Sequence, residues 1–131
     1  MIEQLKTFDS NTLAFEVIDS FTETDEKLAQ KFFQEKLDEG YKTVNVLIKL
    51  DEYKISKTEI KAFFEDIVFL IRQFDHLGNL AIVSHSKILK ALVPIDSFFF
   101  ERIKKGKKEQ YFDVSQLEEA FEFVQQDHSK G

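Results

Sequence analysis

Leu13, Phe15 and Val17 alternate with Ala14 and Glu16, the two-residue period of a strand with one buried face, and residues 2–8 carry a weaker version of the same pattern. Asp9-Ser10-Asn11 between them is turn chemistry, so the chain is expected to open with an antiparallel hairpin. Thr22-Glu23-Thr24-Asp25 then starts a helix: a Thr oxygen can take up free N–H groups, and the acid three residues on suits the positive end of the helix dipole. Leu28, Ala29, Phe32, Phe33 and Leu37 recur at helical spacing, and Gly40 stands where a left-handed residue would end the helix.

Val44, Val46, Leu47, Ile48 and Leu50 form a nearly continuous apolar run of strand length, which suits a central strand covered on both faces. Ser56-Lys57-Thr58-Glu59 has the spacing of a capping box. The stripe Ile60, Phe63, Phe64, Ile67, Val68, Leu70, Ile71 and Phe74 extends that second helix for about four turns. Gly78-Asn79 reads as a turn before the next buried strand, Leu80-Ala81-Ile82-Val83. Ser84 or Ser86 can cap a third helix carrying Ile88, Leu89, Leu92 and Val93, which Pro94 ends or bends. Gln110-Tyr111-Phe112 supplies a further strand. Ser115-Gln116-Leu117-Glu118 is a second capping box, opening a last helix on Leu117, Ala120, Phe121 and Val124.

The order is β-β-α-β-α-β-α-β-α. Helical crossovers require the strands they join to run parallel, and such crossovers are right-handed. The expected fold is α/β: a mixed sheet of four or five strands, with an N-terminal antiparallel hairpin followed by parallel strands, and four or five helices. The 131 residues contain one Pro, four Gly and no Gly/Ser-rich linker, so residues 1–131 are expected to form a single domain. Fifteen Phe and no Trp point to a core of packed rings.

Composition narrows the chemistry. The absence of Cys removes a disulfide framework, a thiolate nucleophile and a cysteine zinc site, and fits a reducing compartment such as the cytoplasm. No apolar run approaches the roughly 18–20 residues of a membrane-spanning helix, and the opening Met1-Ile2-Glu3-Gln4 is unlike a signal peptide. A net charge of −6 argues against general nucleic-acid binding, which relies on many Lys and Arg contacts to phosphate. Three scattered His with no pair at i, i+4 give no metal site, and without a multi-Gly loop no nucleotide cofactor is expected.

Two segments carry candidate chemistry. Ser84-His85-Ser86 sets a base between two hydroxyls at the carboxyl end of a parallel strand, where open α/β sheets bind ligands. Catalysis there would also need an orienting acid and oxyanion donors, so an ordinary strand-to-helix loop is the competing reading. Phe98-Phe99-Phe100 is followed by Arg102, Lys104, Lys105, Lys107 and Lys108, an apolar triplet beside a basic cluster in an acidic chain. Successive helical rings point about 100° apart, so the triplet need not face a single core. It offers a contact surface for an acidic partner, an anionic membrane or a second copy in a homodimer. The bland alternative is a core wedge before a solvated loop.

The Leu13-Ala14-Phe15 alternation, the Thr22-x-x-Asp25 helix start, the apolar strand leading to Asp51, and Leu80-Ala81-Ile82-Val83 followed by a short helix and Tyr111-Phe112-Asp113 resemble the SpoIIAA-like family. That resemblance spans nearly the whole chain and rests on pattern and spacing. It implies kinship with the STAS anti-sigma-factor antagonists, which act by phosphorylation-sensitive protein binding, and with the CRAL-TRIO domains, which bind lipids in an apolar cavity. In the antagonists a phosphorylatable Ser follows the third strand. Ser56 takes a similar place here without the family's glycine-bearing turn, and is equally accounted for as a helix N-cap.

The resulting expectation is a non-enzymatic cytoplasmic binding or regulatory module for a protein or a lipid-like ligand, with no cofactor. The alternative is a small-molecule enzyme using His85 and a carboxylate. An apolar cavity lined by Phe63, Phe64 and Phe98 would favour lipid; a polar cleft converging on His85 would favour chemistry.

Overall fold

The computed structural model describes residues 1–18, 22–50, 65, 69, 76–92 and 108–126. Five strands, β1 (Ile2–Thr7), β2 (Thr12–Val17), β3 (Val44–Leu50), β4 (Leu77–Ser84) and β5 (Glu109–Asp113), lie side by side in chain order. β1 pairs antiparallel with β2, and β2 through β5 run parallel. The expected hairpin, the mixed sheet and the central position of β3 are all present. Among the described residues there are three helices, α1 (Glu23–Asp38), α2 (Ser86–Leu92) and α3 (Leu117–Val124), the last preceded by a 3-10 turn at Val114–Gln116. This count differs from the four or five expected. The second helix, expected from Ser56 to Phe74, lies outside the described residues apart from Glu65 and Phe69, which are both helical and exposed.

Strand order equal to chain order has a consequence for the layers. Each parallel connection steps one strand in the same direction, and right-handed crossovers then put the connecting helices on one face. Buried α1 residues Ala29 and Phe33 and Ile88 of α2 accordingly share one core with Leu13, Phe15, Val17, Val46, Ile48, Leu80 and Ile82. Among the described helices α3, which follows the last strand, crosses to the other side. There Ala120, Phe121 and Val124 pack on Ala14, Leu47, Ala81, Val83 and Phe112. The two-residue period thus feeds two cores from the same strands, and β3 is buried on both faces as its apolar run requires.

Thr22 caps α1 by accepting from the Asp25 N–H at 3.2 Å, while the Asp25 carboxylate accepts from the Thr22 N–H at 2.9 Å, closing the expected box. Gly40, at φ 102°, ends the helix in the left-handed conformation that its missing Cβ allows. Two bonds then tie this end of α1 to the hairpin turn. Lys36 Nζ donates to the Phe8 carbonyl at 2.7 Å, and the Tyr41 hydroxyl donates to the Asp9 carbonyl at 3.1 Å.

Gly78-Asn79 is not a turn before the strand but part of it. Pairing shifts from Val44↔Leu77 to Val46↔Leu80, so β4 holds one extra residue there as a bulge. The Asn45 amide explains why. Its Oδ1 accepts from the buried Asn79 N–H at 2.8 Å, and a Cβ on residue 78 would overlap that same oxygen, so only glycine fits. Asn79 Nδ2 reaches on to the Gln126 carbonyl at 2.7 Å, just past the end of α3.

Candidate functional site

The carboxyl ends of β4 and β5 bring Ser84, His85, Ser86 and Asp113 together, with Ser84 directly opposite Asp113 in the ladder. Asp113 holds the group in place. One carboxylate oxygen accepts from the Ser86 N–H at 3.1 Å; the other accepts from the Ser115 N–H at 2.9 Å and the Ser115 hydroxyl at 2.7 Å. The Asp113 N–H in turn donates to Gln116 Oε1 at 3.1 Å. These hydrogen bonds from the Ser115 hydroxyl and N–H and the Ser86 N–H, with His85 nearby, keep the Asp113 carboxyl below the usual carboxylate range.

The capping box is therefore Asp113-x-x-Gln116 and not the expected Ser115-x-x-Glu118. The chain enters its last helix through a 3-10 turn directly after β5, so the first free N–H groups lie two residues earlier, where a carboxylate is the stronger acceptor. Ser115 sits inside that turn as a donor.

Neither Ser84 nor Ser86 takes the capping position of α2. It falls to His85, whose carbonyl accepts from the Leu89 N–H at 3.0 Å and whose Nδ1 accepts from the Lys87 N–H at 3.3 Å. Ser84 points into the sheet interior: it is wholly buried, and its Oγ has no hydrogen-bond partner. Ser86 is the first residue of the helix and exposed.

A second polar pair lies on the α3 face. Glu16 and Lys49 are neighbours in the β2–β3 register and form a half-buried ion pair at 2.7 Å. Sequence reading passed over it because the partners stand 33 residues apart and alternation marks each only as a polar position. Among the described residues no three His, Asp or Glu side chains gather as a metal ion would require.

Of the other sequence-predicted residues, Ser56, Phe63, Phe64, Phe98, Phe99, Phe100, Arg102, Lys104, Lys105 and Lys107 lie outside the described residues. Lys108 is exposed just before β5, and its carbonyl accepts from the Leu80 N–H at 2.9 Å, which starts the β4–β5 ladder.

Chemically, the bonds seen at this end of the sheet hold the fold together. Both Asp113 oxygens are directed at N–H and O–H groups of the chain, and the Nδ1 lone pair of His85 faces the Lys87 N–H. Among the described residues no helix is long and apolar enough to cross a membrane. Neither the curated proteins nor the solved structures compared with this chain contain a match. The family model described as SpoIIAA-like matches residues 12–125. Because that match runs from the first residue of β2 to the residue after α3, through all four parallel strands and all three described helices, the chain belongs to the SpoIIAA-like family.

Proposed function

We propose that this protein is a non-enzymatic regulatory or binding module that works by contact with another protein. The observation that carries this reading is the engagement of Asp113: its carboxylate, near His85, accepts from Ser86 and Ser115 and so braces the carboxyl end of the sheet. Family membership supports the same reading, since a fold shared by binding modules needs no reactive centre. Ser56 and the basic segment from Arg102 to Lys108 are the positions at which modification and partner charge would act.

Native mass spectrometry of the protein purified from its own host tests the proposal. A stoichiometric protein complex supports it. A co-purifying lipid mass would replace the protein partner with an apolar ligand, and a phosphate adduct that maps to Ser56 would add a switch to the module. Turnover of any small metabolite that His85→Ala abolishes in a still-folded protein would overturn it in favour of an enzyme.

A further inference from the structure

We draw no further inference here: the strongest candidate, the wholly buried and unpartnered Ser84 hydroxyl at the carboxyl end of β4, belongs to the site already described, and nothing in the structure shows what its oxygen would bind.

Discussion

Two polar clusters at opposite ends of the parallel sheet, the Asn45–Asn79 pair and the Asp113 clamp, are held in different ways. At the amino end, Asn45 and Asn79 are buried and bonded to main-chain groups, one to the next strand and the other to the end of α3. At the carboxyl end, Ser86, Ser115 and the clamp that Asp113 makes with them face solvent, and His85 is half-buried. Burial makes each lost bond at the amino end expensive, because a stranded donor there finds no water. Around the exposed Ser86 and Ser115 of the clamp, water can replace a lost partner. Changes to the Asn45–Asn79 pair are therefore costly, while changes to the exposed clamp come at modest cost.

Removing the acceptor at the amino end should have the largest effect. Asn45→Ala strands the buried Asn79 N–H, and we expect a loss of about 2–3 kcal/mol in urea unfolding. Gly78→Ala drives a Cβ into the Asn45 amide and should cost about 2 kcal/mol. An unchanged midpoint would mean that Asn45 is free to swing away, and the contrast between the ends would weaken.

The carboxyl end should respond less, and locally. His85→Ala removes a cap and should cost about 1 kcal/mol, with faster hydrogen exchange at Lys87–Leu89 and little change at β3. His85→Asn, which keeps a capping acceptor, should restore the protection. A loss as large as that of Asn45→Ala would erase the difference.

Acid sharpens the comparison further. The Asp113 carboxyl lies below its ordinary value of 3.8 in the folded protein, so the stability it lends is complete above that value and fades as pH falls through the lower folded value. Asp25 behaves alike. Burial alone would raise its carboxyl, but hydrogen bonds from Thr22 and the Met1 amino group outweigh burial and lower it. Unfolding followed by circular dichroism below about pH 4 should steepen for the native chain and flatten in Asp113→Asn.

The smallest expected change is a gain. His76, exposed just before β4, holds φ at 67°, a left-handed conformation that costs a non-glycine residue energy. His76→Gly should stabilise by about 0.5 kcal/mol, measured as a small upward shift in Tm.

How much of this was legible beforehand depended on range along the chain. Thr22 with Asp25 and Gly40 were readable because a helix end is satisfied by residues within one turn. The clamp was half readable: Asp113-x-x-Gln116 has capping-box spacing, but its hold on Ser86 spans 27 residues. The Gly78 bulge was misread as a turn because glycine before a strand signals either, and only the Asn45 amide across the ladder decides between them.

The sequence by itself determined the strands, the helices α1, α2 and α3, the Thr22 cap and Gly40 stop of α1 and the parallel connections. Each of these follows from side-chain period and from the unsatisfied backbone groups of a few neighbouring residues. Only the tertiary structure decided that α3 packs on the second face, that Glu16 meets Lys49, and that the carboxylate beside His85 braces the chain. Those outcomes depend on which distant groups share a dehydrated space, and burial is a property of the folded whole that no local spacing encodes.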